Sequence, residues 1–176
     1  MTKNSRFTSN AFRLAVLALA IAGSGSAIAA NAVATSTSTV ITAINIAKSA
    51  DLAFGSFAAT AAAGTVTITP AGARTSTGVV EVASTPSAAK FDVTGQSGMG
   101  YSISVVATPL SDGGSNSMTF TPISALTAST STSGTVSVGT LTGGAQSIYV
   151  GGVLTVAASQ AAGSYSGTVT ATVDYN

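Results

Sequence analysis

The chain of 176 residues contains no cysteine, no histidine and no tryptophan, and only 6% of its residues are charged. Each absence removes a class of function. Without His or Cys, a Ser-His-Asp triad, a thiol nucleophile and the usual zinc ligands are unavailable. Without Cys there is no disulfide, so stability must come from burial, hydrogen bonding or assembly. Ten Phe and Tyr residues are too few for the two aromatic girdles of an outer-membrane barrel. No internal repeat of fixed period is visible, which argues against a parallel β-helix.

The N-terminus reads as an address. Lys3, Arg6 and Arg13 precede a nine-residue apolar run, Leu14–Ala22, too short to span a bilayer. Small residues follow, and Ala27-Ile-Ala29 fits the cleavage pattern of a secretory signal peptide. Ala30-Asn-Ala32 and Ala32-Val-Ala34 fit too, so residues 1–29 are expected to be removed, with the mature start between Ala30 and Thr35. What remains is one domain, with Lys48, Arg74 and Lys90 set against Asp51, Glu81, Asp92, Asp112 and Asp174, a net charge of −2. No basic patch exists for nucleic acid.

What is present is Ala, Thr, Ser, Gly and Val, a composition of pleated surfaces and turns. Period-2 alternation recurs, beginning with Val40, Thr42, Ile44 and Ile46 on one face. Further strand signals are Asp51–Phe57, Thr65–Thr69, Gly78–Val82, Lys90–Thr94, Tyr101–Val105, Ser117–Thr121 and Gly134–Val138. Gln146–Val150 and Val153–Ala157 read as strands bent at Gly151-Gly152. The closing strand puts Tyr165, Gly167, Val169, Ala171, Val173 and Tyr175 on one face and Ser166, Thr168, Thr170, Thr172, Asp174 and Asn176 on the other. About ten short strands without a helix predict an all-β, immunoglobulin-like Greek-key sandwich.

The chemical motifs are thin. Ser87-Ala-Ala-Lys90 matches the S-x-x-K of penicillin-recognising enzymes, but that chemistry needs one helical turn between Ser and Lys. Here Lys90 opens a strand, so a surface Ser and Lys are expected. Gly95–Gly100 has the glycines of a phosphate loop but no Lys and no following helix. Asp112 in Ser111–Ser115 marks a turn, since one carboxylate does not hold calcium. Lys48 and Arg74 read as solvated charges. No catalytic, cofactor-binding or metal-ligating residue is predicted, and no small-molecule substrate.

Several segments together carry a resemblance. They are Ile44-Asn-Ile-Ala-Lys-Ser-Ala-Asp-Leu-Ala-Phe-Gly55, Gly64–Gly72, Ala89–Gly95 ahead of Tyr101–Val105, Ile148–Val156 and Gly163–Tyr175. The chain resembles a domain-of-unknown-function family of secreted bacterial β-proteins. That family is in turn similar to spore-coat-protein-U-type subunits and archaic chaperone–usher pilins. The resemblance implies a sandwich short of one strand, completed by strand addition from the next subunit. It implies residues 30–47 as an N-terminal extension, with donor residues Val40, Thr42, Ile44 and Ile46, and residues 48–176 as the pilin-like domain. Against the donor role stands an ordinary first strand paired within its own domain. The acceptor and chaperone-contact strand would use Tyr165, Val169, Val173, Tyr175 and Asn176, the last through its terminal carboxylate. The expected partners are further copies of the chain, a periplasmic chaperone and an outer-membrane usher. The expected setting is a cell-surface fimbria with a role in adhesion or biofilm. The alternative is a monomeric secreted adhesin binding carbohydrate or matrix, for which Tyr101 and Tyr149 are the only aromatic candidates outside the last strand.

Overall fold

A computed structural model describes residues 29–176. Residues 1–28, which hold most of the expected signal peptide, lie outside the described residues. The chain divides between Thr39 and Val40. Residues 29–39 belong to the first unit; they take part in no strand and every one is exposed.

The second unit, Val40–Asn176, is all-β and sandwich-like. Its strands are β1 Asn45–Ala50, β2 Phe57–Ala59, β3 Gly64–Ile68, β4 Arg74–Thr77, β5 Val79–Glu81, β6 Ala89–Thr94, β7 Gly100–Ala107, β8 Leu110–Ser111, β9 Ser117–Ala125, β10 Val138–Thr140, β11 Ala145–Val156 and β12 Val169–Tyr175. A 3-10 turn, Thr142–Gly144, precedes β11. All ladders are antiparallel.

β11 organises the larger sheet. Its first half pairs with β6 (Ala145↔Thr94 to Val150↔Ala89) and its second half with β3 (Gly152↔Ile68 to Val156↔Gly64). Its other side pairs with β9, from Tyr149↔Ala125 to Thr155↔Thr119. β1 extends the sheet beyond β6, and β4 extends it beyond β3. The glycine pair expected to bend this segment instead sits inside one unbroken twelve-residue strand. Both glycines are buried, and a Cβ on Gly151 would strike the Ile68 carbonyl while one on Gly152 would strike the Phe120 ring. Their role is close approach of neighbouring strands.

The second sheet has three strands in the order β10-β7-β12. Alternation places Tyr101 and Ile103 of β7 against Phe91 and Val93 of β6 and Ile148 and Val150 of β11 in one buried cluster. A second cluster holds Phe54, Val66, Ile68, Met118, Phe120, Leu154 and Val156. Phe54 and Phe120 meet edge to face at 5.4 Å and 86°.

Other sequence expectations shift by identifiable causes. β1 begins at Asn45 rather than Val40 because its partner β6 ends at Thr94, which pairs with Asn45. The closing strand forms only from Val169, since Ser166 is drawn into a bridge with Ser111. β10 starts at Val138, four residues later than the predicted segment.

Candidate functional site

The terminal strand β12 pairs on one side with β7, from Val169↔Ala107 to Tyr175↔Tyr101. Its outer edge carries no ladder among the described residues. β1 approaches β12 but shares no backbone ladder with it. The row facing inward, Val169, Ala171, Val173 and Tyr175, packs against the first core cluster. Of these only Val173 is buried, whereas Ile148, Val150 and Leu154 of β11 are fully covered.

Beside the start of β12 the sandwich opens into a cleft of ≈ 1080 Å³. One wall is Lys48–Ala59 and the other is Gln160–Val169; Ala89, Phe91, Leu110, Met118, Phe120 and Leu154 contribute the apolar interior. The second wall is held by Tyr165, whose hydroxyl accepts from Gln160 Nε2 (2.9 Å) and donates to the Ala161 carbonyl (2.8 Å).

The first wall is held by Arg74. Its side chain is 9% exposed and pairs with Glu81 at 3.2 Å. The guanidinium also donates to the carbonyls of Phe54 (3.3 Å), Ser56 (3.2 Å) and Val82 (3.2 Å) and to Ser84 Oγ (3.0 Å). Arg74 is therefore a structural hub and not the solvated charge expected from the sequence. Sequence reading missed it because its partners come from both sides of the chain, up to twenty positions away. The Ser76 hydroxyl and then Arg74 hold the Glu81 carboxyl below its ordinary value.

The expected donor residues fall in three environments. Val40 is 95% exposed and in no strand. Thr42 is fixed at the end of β12: its N–H donates to Gln96 Oε1 (3.3 Å) and its carbonyl accepts from the Tyr175 hydroxyl (2.9 Å). Ile44 and Ile46 pack on their own domain's core, and Ile46 pairs with Val93 inside β1. Of the acceptor residues, Val169, Val173 and Tyr175 lie together on β12, Tyr165 lies four residues ahead of it in the cleft wall, and exposed Asn176 follows it.

The remaining motifs are placed as follows. The Ser87 hydroxyl donates to the Asp51 carbonyl, and Lys90 pairs with Asp92 at 3.0 Å, so neither atom faces the other. The Gln96–Gly98 turn closes on itself through Met99, whose N–H donates to the Gln96 carbonyl. Asp112 caps its own turn, accepting from Gly114 N–H and from Asn116 Nδ2. Tyr101 is fully buried. Tyr149 is half-buried on the outer face with Lys90 Nζ 5.9 Å from its ring centre, beside a shallow depression of ≈ 510 Å³. No group of three or more Asp and Glu that could hold a metal ion occurs among the described residues.

No curated protein and no solved structure matches the chain. A family model described as Domain of unknown function (DUF4402) matches residues 44–175, from the residue just ahead of β1 to the final residue of β12, and the chain belongs to that family.

Proposed function

We propose that the chain is a structural subunit of a bacterial surface fibre that polymerises by donor-strand exchange, with a role in adhesion or biofilm. The observation that carries this reading is the unpaired outer edge of β12 alongside a cleft with an apolar interior and polar walls, in a chain whose residues 29–44 enter no strand of their own. A strand edge offers a row of backbone donors and acceptors, and an added strand gains affinity from those bonds and register from alternate side chains. Contacts between a site on one copy and a different segment of the next are heterologous and propagate as open filaments. The low charge of the mature chain supports the same reading, since a fibre subunit keeps its edges occupied.

By resemblance to chaperone–usher pilins, the proposal includes export through the periplasm, a chaperone that occupies the edge of β12 before assembly, and an outer-membrane usher. It assigns no enzymatic step. The test is deletion of residues 30–39 in a producing strain, followed by negative-stain microscopy of material sheared from the cell surface. The expected outcome is exported protein without fibres. Fibres from the truncated chain would overturn the proposal.

A further inference from the structure

Two alternating rows precede β1. One is Ala34, Ser36, Ser38, Val40, Thr42 and Ile44; the other is Val33, Thr35, Thr37, Thr39 and Ile41. The fold has already used the end of the first row. Ile44 packs on the core of its own domain, and Thr42 is bonded through both its N–H and its carbonyl. What is left of that row is small and mostly unbranched. The second row is unspent. Val33 is 92% exposed, Thr35, Thr37 and Thr39 are exposed, and every member is β-branched, the side-chain type that a pleated surface favours.

We infer, resting on the fibre reading above and on signal cleavage after Ala29, that the occupant of the β12 edge is residues 33–39 of a second copy, with Val33, Thr35, Thr37 and Thr39 facing inward and Val33 seated in the cleft. The lengths agree. Val33–Thr39 and Val169–Tyr175 are each seven residues, about 20 Å of strand. The chemistry agrees as well. Phe54, Phe120 and Leu154 supply apolar lining for the one aliphatic side chain, and Ser164 and Ser166 of the same lining suit its hydroxyl-bearing neighbours.

The occupant comes from another copy because the chain's own segment is badly placed to return. Thr42 is tied to Tyr175, at the far end of β12 from the cleft. Reaching back along β12 would require a reversal, and between Ala32 and Ile44 there is no Gly, Pro, Asn or Asp, only Ser36 and Ser38, which favour turns more weakly.

The absence of native cysteine makes the test clean, because introduced cysteines can pair only with each other. Ala171→Cys on β12 is combined in turn with a cysteine at each position from 33 to 39, and fibres are run on non-reducing gels. The expected result is a ladder of cross-linked copies, strongest at one odd position and absent at the even positions beside it. Cross-links from even positions alone would overturn the row while leaving the fibre reading standing. Fibres with no cross-link from any position would overturn the assigned occupant, and if deletion of residues 30–39 also left fibres intact, the fibre reading would fall with it. Cysteine pairs that block export are replaced by Val33→Asp against Ala34→Asp. The first is expected to abolish the fibre ladder with monomer still exported, the second to retain it, and the reverse pattern would overturn the row.

Discussion

The Tyr175 hydroxyl donates a 2.9 Å hydrogen bond to the carbonyl of Thr42, 133 positions earlier in the chain. The same oxygen accepts from the Gln96 N–H at 2.6 Å. One phenol thus fastens the segment entering β1, the turn after β6 and the end of β12. Tyr175→Phe keeps the ring and removes both bonds, leaving the half-buried Gln96 N–H unpaired. A loss of about 1–3 kcal/mol is expected in urea unfolding. Amide exchange should accelerate at Thr42 and Gln96 before it does in β6 or β11, and unchanged exchange there would contradict the fastening role.

Tyr101 presents the opposite case. It is fully buried, its hydroxyl has no hydrogen-bond partner among the described residues, and burial pushes its pKa up. Tyr101→Phe removes a polar group that is desolvated without compensation. Stability is expected to stay equal or rise by about 1 kcal/mol. A clear drop in the melting temperature would mean that the hydroxyl has a partner.

At Gly151 and Gly152 an added methyl group meets the Ile68 carbonyl and the Phe120 ring. Each Gly→Ala change should cost about 3 kcal/mol through forced separation of packed strands. Ala at Gly98, where nothing lies within 4 Å, faces only the strain of a +80° φ and should cost about 1 kcal/mol. Equal losses at all three positions would rule out steric approach as the cause at β11.

Arg74 fastens the first wall of the cleft. Arg74→Ala leaves the carbonyls of Phe54, Ser56 and Val82 without this donor and is expected to cost about 3 kcal/mol. Glu81→Gln, at the more exposed end of the pair, should cost much less. Limited proteolysis of Arg74→Ala should give a first cut within residues 53–59. Cutting elsewhere would detach Arg74 from the wall.

Carboxylates set the acid limit. Asp92 is held below its ordinary 3.8 by the Ser147 hydroxyl and then Lys90, Asp112 below 3.8 by the Asn116 amide, and Glu81 below its ordinary 4.5 by Ser76. A depressed folded pKa gives stability that is complete above the unfolded pKa and lost as pH falls through the folded one. Lys90, raised chiefly by its bond to Asp92, contributes stability that is complete below the unfolded lysine pKa and lost as pH rises through the folded one. The melting temperature should therefore be flat from about pH 5 to pH 9, falling below about pH 4 and again above about pH 10. A maximum near pH 7 with sloping flanks would require a group outside this set, since the chain has no histidine.

The β class and the two faces of β6, β7 and β12 were legible because their alternation is carried by large residues, such as Phe91 and Val93 or Tyr101 and Ile103, whose burial fixes the register. The limits of β1 and β12 were not, because a strand ends where its partner ends, and partners lie far away in the chain. Gly151-Gly152 reads as a breaker in local pattern; only the crowding by Ile68 and Phe120 shows why side chains are excluded there. The cleft was invisible for a similar reason. An unpaired edge leaves no mark on the alternation of β12 itself. Ile44 and Ile46 look like free anchors until the core they cover is seen.

The placement of β11 also dictates the order of events. β6, β3 and β9 each take one of their ladders from Ala145–Val156, and each was made earlier. None of the three can close its sheet until the final third of the chain has emerged. Such long-range pairing is slow, and the waiting strands expose apolar faces rich in Val and Phe. Until β11 is made, one edge each of β3, β6 and β9 stays unpaired, so the vulnerable period of this chain is its own elongation.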